Sequence, residues 1–313
     1  MQKTFKVFCI GCFCVKKRID FLDMKKRGFI LIVIAGVLWG TSSIFVHFLS
    51  PLGFSSLQMT FFRSLVAFLS MAVYVLLFNK RLFKVTKKEL LLFALSGLSF
   101  FGTASFYYTG MIASSVSTAV VLMYSSPVLV MIYSVIFFGE KLSVKKVISI
   151  VAMLTGCCLV SGIIGGMKFS LWGITASFLA GVCYTAYNIF TKIQMRNESN
   201  PVSATLYCFL FASLAAFFAC EPAQIPTLIT VKPFITVLLI LGIGICTGIL
   251  PYFLYTVSLK DLEVGTASAL GIIEPMSATI FSVVLFGEPL SVFSVVGIVL
   301  ILGAVLLLSR SEE

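Results

Sequence analysis

Two ionisable side chains lie far inside apolar segments, where they could take part in moving a solute or a proton. Glu274 stands about halfway along the apolar segment 264–286, directly before Pro275. Arg63 stands inside the segment 57–78, toward its amino-terminal end. A charged side chain at the centre of a bilayer costs about 2.5–3.5 kcal/mol on insertion scales, so such a residue needs a function or a specific partner.

Glu274 has two interpretations that the sequence leaves open. A carboxyl group at this depth could carry a proton across the membrane or bind an amine of a substrate. Alternatively, it stays permanently neutral and bonds to backbone groups that Pro275 leaves without a helical partner.

Arg63 also has more than one interpretation. Its planar guanidinium group offers a fork of donors that suits a substrate carboxylate. It could instead pair with Glu274, because the estimated depths of the two residues differ by only about 6 Å. A purely structural Arg63 would extend toward the outer membrane interface.

Further candidates lie on the segments around these two residues. Tyr184, Tyr187 and Asn188 form a polar helical cluster, because positions three and four apart share one helix face. Pro127 and Pro275 each remove a backbone donor near the middle of a helix, which predicts kinks that could serve as hinges or cavity walls. Other tyrosines could line a cavity, although packing is the simpler role for each: Tyr107, Tyr108, Tyr124, Tyr252 and Tyr255.

The elements that position these residues are long apolar helices. Of the 313 residues, 59% are hydrophobic and 11% are charged, whereas soluble domains carry roughly 25% charged residues. This composition excludes a soluble enzyme and a disordered regulator. About 20 apolar residues cross a bilayer, which predicts an all-α multi-pass membrane protein with ten spans: 28–48, 57–78, 89–111, 116–138, 145–164, 170–191, 201–220, 234–258, 264–286 and 292–309.

Lysine and arginine predict the orientation of these spans. If the amino terminus is cytoplasmic, the outer loops contain only Lys168 and Lys232 of the cationic residues, and the inner segments contain nearly all the others. The positive-inside rule therefore predicts that both termini are cytoplasmic. The same placement explains the net charge of +11 as topology charge, so we expect no nucleic-acid partner.

The amino-terminal residues 1–27 form a charged extension before the first span. Met24 starts a run typical of a natural bacterial amino terminus, so the residues before it could belong to an over-extended gene start. Cys9, Cys12 and Cys14 lack an accompanying Cys or His pair, so we expect no metal site there.

An internal repeat relates the two halves of the chain. Residues 114–143 match residues 262–291 without gaps, and AGVLWGTSSIF at 35–45 matches AGVCYTAYNIF at 180–190. Shared apolar composition would not easily align the positions that match: Thr118/Thr266, Ala119/Ala267, Pro127/Pro275, Gly139/Gly287 and Glu140/Glu288. Each repeat holds five spans, an odd number, so the second copy enters the membrane from the opposite side. Such inverted repeats are typical of secondary transporters.

Both repeats end their fourth span with the triplet FGE. We expect Glu140 and Glu288 to be interface carboxylates that satisfy helix ends or pair with the next helix.

The chain resembles the EamA-type permeases of the drug/metabolite transporter superfamily. The resemblance covers residues 28–309 and rests on the paired five-span layout and on these stretches: GVLWGTSSIF (36–45), FFRSLVAFL (61–69), SSPVLVMIYSVIFFGEKLS (125–143) and IIEPMSATIFSVVLFGEPLS (272–291). It implies two EamA domains, 28–164 and 170–309. Trp39 and Gly40 carry the Trp-Gly signature in the first half, whereas Tyr184 and Thr185 stand there in the second.

This resemblance implies a secondary active transporter, located in the inner or plasma membrane, that exports amino acids or related small metabolites by alternating access, with proton antiport. Uptake, or transport without proton coupling, is the alternative. A channel and a membrane-embedded enzyme are weaker alternatives, because we find no filter-like polar run, nucleotide-binding loop or hydrolase motif. The expected partners are the lipid bilayer and a small-molecule substrate, with no cofactor or metal. The protein could be a monomer or a homodimer.

Overall fold

The described part of the protein is helical. A computed structural model describes residues 24–114, 116–161, 170–287 and 291–312, and no β-strand occurs within them. Most of the amino-terminal extension, with Cys9, Cys12 and Cys14, lies outside the described residues, as does Glu288.

Ten principal helices follow one another in the described part of the chain. Seven of them are long and apolar enough to cross a membrane, which confirms a multi-pass helical membrane protein; the count of ten spans and their orientation stay predictions. The bounds are α1 Met24–Leu52, α2 Ser56–Phe78, α3 Lys87–Ala113, α4 116–138, α5 Val144–Val160, α6 Leu171–Arg196, α7 Pro201–Ala219, α8 Pro233–Asp261, α9 Val264–Phe286 and α10 Val292–Glu312.

The repeated glycine of the FGE triplet ends helices α4 and α9. Gly139 and Gly287 adopt φ angles of 66° and 68°, in the left-handed region that favours glycine. A left-handed residue after the last turn stops a helix and redirects the chain. Glycine is therefore required at both turns. In the first half, Glu140 follows Gly139 directly and lies just beyond the end of α4.

Three helices are interrupted near the middle of the molecule. Helix α1 has a turn at Thr41. Helices α4 and α9 are interrupted shortly before Pro127 and Pro275, whose missing N–H groups weaken the preceding turn. In α4, regular helix covers Val116–Met123 and Ser126–Tyr133. In α9, it covers Val264–Leu270 and Ile273–Phe286.

Helices from one half of the chain pack against helices from the other half. Helix α2 packs on α8, and α7 packs on α3. Helix α1 packs on α9, and α6 packs on α4, while α5 pairs with α10 and α2 with α7. These contacts surround a central region into which α1, α4 and α9 bring their interrupted turns.

Two glycines allow close helix approaches next to the interrupted turns. A Cβ atom on Gly36 would lie 2.8 Å from Cβ of Ile273, at the break in α9. A Cβ atom on Gly181 would lie 3.1 Å from the carbonyl oxygen of Leu122, next to the break in α4. Small residues at such positions let helix backbones approach within a membrane. The interrupted helices are thus held by glycine contacts from the opposite half.

Candidate substrate site

A cavity of about 460 Å³ lies between the two halves of the chain. This volume falls in the range of small-molecule sites, about 300–1,000 Å³. Side chains from helices of both halves form the walls, and these side chains are aromatic, hydroxyl-bearing or charged. The lining includes Trp39, Ser42, Ser56, Thr60, Arg63, Phe100, Thr103, Tyr107, Tyr108, Tyr124, Ser161, Tyr184, Tyr252, Glu274 and Pro275.

The interrupted turns bring irregular backbone to the cavity wall. Trp39 and Ser42 flank the turn in α1, and Tyr124 occupies the turn in α4. Glu274 and Pro275 start the second part of α9. Non-helical backbone at membrane depth is tolerated where it lines a cavity, and broken helices form the central sites of many secondary transporters.

Glu274 lines this cavity and is bonded across the two halves. The hydroxyl of Tyr124 donates a hydrogen bond of 2.8 Å to Oε2 of Glu274. The side chain of Tyr124 is buried, and it belongs to α4 whereas Glu274 belongs to α9. The observed partner of this carboxyl group is therefore a side chain of the opposite half. Separation of the halves at this level would break the bond.

Arg63 also lines the cavity, and one donor of its guanidinium group has no acceptor among the described residues. Its Nε atom is buried and has no hydrogen-bond partner in the described part of the chain. The guanidinium carbon lies 5.1 Å from the centroid of the Phe100 ring, a cation–π arrangement. Among the described ion pairs, none joins Arg63 to Glu274 within 4.0 Å. A buried donor without an acceptor is costly, so Arg63 leaves one unmet donor next to the cavity.

Trp39 supplies a second donor of the same kind. Its Nε1 atom is buried and has no hydrogen-bond partner among the described residues. Its ring contacts Tyr252 edge-on, with the centroids 5.0 Å apart. Next to it, Gly40 packs on α9, where a Cβ atom would lie 2.5 Å from Cβ of Ser277. The Trp-Gly pair thus combines a cavity side chain with a close helix contact.

The polar cluster on α6 divides between the cavity and a packed layer beside it. Tyr184 lines the cavity. Asn188 is fully buried, its amide donates to the Tyr184 carbonyl at 2.6 Å, and its oxygen accepts a hydrogen bond from Tyr255. Tyr187 is also buried. The structure therefore does not bring Asn188 and Tyr187 to the cavity wall with Tyr184.

The remaining predicted residues have mixed positions. Pro275 lines the cavity, whereas Pro127 is buried in α4 away from the described lining. Sequence reasoning missed Thr60, Thr103 and Phe100 as lining residues. Threonine and phenylalanine are common in membrane helices, so only helical spacing could have singled them out: Thr60 is three residues from Arg63, and Thr103 and Phe100 are four and seven residues from Tyr107.

The cavity is placed asymmetrically along the helices. Its lining extends to Ser56, the first residue of α2, and to Ser161, directly after α5. The orientation predicted from charge puts both ends outside. Toward the other end, Asn188 and Tyr255 are 0% exposed and Leu259 is 1% exposed. The packed layer thus closes the end that is predicted to face the cytoplasm.

Known proteins resemble this chain over almost its whole length. An uncharacterized transporter from Archaeoglobus fulgidus is 27% identical over 279 residues, covering 89% of this chain and 95% of the relative. An uncharacterized inner membrane transporter, YicL, from Salmonella typhimurium is 24% identical over 300 residues, covering 92% and 97%. A solved crystal structure aligns with a TM-score of 0.74 and 19% identity, covering 91% of this chain and 98% of that one, which shows a shared fold.

The family comparison is specific. The model of the EamA-like transporter family matches residues 26–162 and again residues 171–310. Together these matches cover most of the chain. The protein therefore belongs to the EamA-like transporter family, part of the drug/metabolite transporter superfamily.

Proposed function

We propose that the protein is a secondary carrier that exports amino acids or related small metabolites by alternating access, coupled to proton antiport. The observation that carries this proposal is the central cavity, where an unpaired Arg63 donor and the Glu274 carboxyl group stand between two halves and one end is closed. A carrier needs a site that reaches one side of the membrane at a time.

The arrangement of helices supports two five-helix units with inverted topology, 28–164 and 170–309. The contact of α2 with α8 is equivalent, under the repeat, to the contact of α7 with α3. The contact of α1 with α9 is likewise equivalent to that of α6 with α4. Equivalent contacts let the units exchange packing arrangements when one rocks against the other, which is the motion that inverted repeats support.

The lining chemistry favours a small solute with both charged and apolar parts. Arg63 offers donors for a carboxylate. Tyr107, Tyr108 and Phe100 offer aromatic surface for an apolar body. Glu274 either binds an amine or exchanges a proton, and in both cases its ionisation decides whether a cation is held.

Proton coupling through Glu274 has a direct mechanism. When the carboxyl group is ionised, it accepts the Tyr124 hydrogen bond as a charged acceptor and can bind a cationic group. When it is protonated, the charge that costs free energy at membrane depth is gone. Protonation and substrate binding at Glu274 then compete, and competition at one site is sufficient for exchange of a proton for a substrate.

The two weaker alternatives have less support. A channel needs a continuous path, whereas Asn188 and Tyr255 close one end of this cavity. A metal-dependent membrane enzyme would need a ligand cluster, and the described residues contain no group of three or more His, Cys, Asp or Glu that could hold a metal. Transport without proton coupling stays the principal alternative, and it would leave Glu274 with a binding role alone.

The test uses purified protein in liposomes that contain a pH-sensitive dye. A panel of amino acids and cationic drugs is added, and Glu274→Gln is measured beside Glu198→Gln, a matched change at an exposed residue. We expect a saturable, substrate-dependent proton signal that Glu198→Gln keeps and Glu274→Gln loses. Substrate exchange without any proton signal would reject antiport. Absence of exchange for the whole panel would reject amino-acid transport.

A further inference from the structure

A set of charged contacts joins the two halves at the closed end of the molecule. Glu140, directly after the left-handed Gly139, accepts a hydrogen bond from the backbone N–H of Val264 at 3.0 Å and one from Gly265 at 3.4 Å. These are the first two residues of α9. A carboxylate of the first half therefore caps a helix of the second half.

Helix geometry explains why this contact is favourable. The first amides of a helix have no partner within the helix, and the helix dipole favours a negative charge at this end. A Cβ atom on Gly265 would lie 3.6 Å from Oε2 of Glu140, at ordinary van der Waals distance, which shows how closely the carboxylate approaches the start of α9. The Glu140 carboxylate thus accepts hydrogen bonds from amides at the start of α9 that the N-cap residue of α9, Glu263, does not cap with its side chain.

Further cations hold the same segment, 259–265, which joins α8 to α9. Arg27 donates two hydrogen bonds to Oδ2 of Asp261, at 3.0 and 2.8 Å. Lys146 forms an ion pair with Glu263. Lys146 belongs to the first half and Arg27 to the start of α1, whereas Lys192 of the second half donates to the carbonyl oxygens of Leu259 and Leu262.

The position of these contacts connects them to access. The segment 259–265 lies next to the packed layer that contains Asn188 and Tyr255, because Lys192, one turn after Asn188, donates to Leu259 and Leu262. Leu259 and Leu262 are themselves almost fully buried. Separation of the two halves at this end would break the contacts of this segment with Glu140 and Lys146, because each of them joins one half to the other.

We propose that Glu140, Lys146 and Arg27, with the segment 259–265, form a latch that holds this end of the pathway closed. Glu140 is its principal positioning residue. The latch sets the balance between the conformation described here and one that opens toward the cytoplasm. This inference rests on the proposed alternating-access function. It gives Glu140, the glutamate of the first FGE triplet, a role in the transport cycle.

The test compares Glu140→Gln with Glu198→Gln by hydrogen exchange and mass spectrometry of the full chain in lipid nanodiscs, without substrate. Glutamine keeps the shape of the side chain and removes its charge. We expect exchange in residues 259–270 to become about ten-fold faster, because hydrogen bonds to a charged acceptor are among the stronger ones. We also expect exchange in residues 42–60, at the other end of the cavity, to become slower as that end closes. Glu198→Gln should change neither.

The slower exchange at the far end separates a latch from a local helix cap. Faster exchange in 259–270 with no change in 42–60 would overturn the proposal, because loss of a cap alone has only a local effect. No change in either segment would overturn it as well. Because no substrate is needed, a shifted balance in a protein that transports nothing would reject the proposed function and leave the latch standing.

A charge exchange tests the Lys146–Glu263 pair independently. Lys146→Glu should give the same opposite changes at the two ends as Glu140→Gln, because it places two carboxylates together. Adding Glu263→Lys should restore exchange to within two-fold of the unmodified protein. A double variant that behaves like Lys146→Glu alone would remove this pair from the latch.

Discussion

The most specific consequence of the cavity concerns Arg63 and the carboxylate of a substrate. Its Nε atom is buried without a partner in the described part of the chain, and Phe100 holds the guanidinium group from one side. Replacement by lysine keeps the positive charge and removes the planar fork. Replacement by glutamine removes the charge as well.

The expected size of the effect follows from the hydrogen bonds that are lost. One hydrogen bond to a charged group contributes about 1.5–3 kcal/mol, which corresponds to about 10- to 150-fold in binding. We therefore expect Arg63→Gln to raise KM for an amino-acid substrate by about 10- to 150-fold. Arg63→Lys should fall between this variant and the unmodified protein, because a lysine still supplies a point charge.

The assay measures initial exchange rates in liposomes for an amino acid and for its carboxamide. The unmodified protein should prefer the acid, and Arg63→Gln should lose this preference because the carboxylate has lost its partner. Arg81→Gln is the matched control, since Arg81 is exposed in the segment after α2. An unchanged preference for the acid in folded Arg63→Gln would refute the assignment of Arg63 to the substrate carboxylate.

Three further predictions concern the three interrupted helices. Tyr124→Phe removes the donor to Glu274, and we expect the proton signal per transported substrate to change while the protein still folds; an unchanged signal would show that this bond does not take part in coupling. Glu274→Gln should make the exchange rate independent of pH, and a persisting pH dependence would assign coupling to another group. Gly40→Ala places a Cβ atom 2.5 Å from Cβ of Ser277, so overpacking should destabilise the fold by about 1–3 kcal/mol and lower the melting temperature. Gly303→Ala meets nothing within 4 Å and should leave that temperature unchanged or raised, and equal melting temperatures for the two variants would contradict the close helix contact.

Much of the fold could be predicted from sequence because its signals are local. The length of each apolar run determines where a helix can cross a bilayer. The prolines at 127 and 275 predict interruptions, and the structure has them two to four residues earlier. Glu274 and Arg63 stood out because charge at membrane depth is costly, and both line the cavity.

The partners of the site residues could not be predicted, because they depend on which helices become neighbours. In lipid, an apolar side chain gives little indication of whether it faces the core or the bilayer. The helix face that Tyr184 and Asn188 share could be predicted from their spacing. Tyr255, whose hydroxyl donates a hydrogen bond to Asn188, lies on a helix that is distant in sequence. Glu140 was expected to satisfy a helix end or pair with the next helix, and the helix end that it contacts, at the start of α9, depends on the packing of the two halves.

The proposed carrier moves a solute through a site that reaches one side of the membrane at a time. Counterflow in liposomes tests this most directly: the vesicles are loaded with unlabelled substrate at high concentration, and uptake of a radiolabelled trace of the same substrate is followed. Alternating access predicts saturable uptake that the internal substrate accelerates and that overshoots its equilibrium level. Uptake that rises in proportion to concentration and is independent of the internal substrate would indicate a pore and would contradict alternating access.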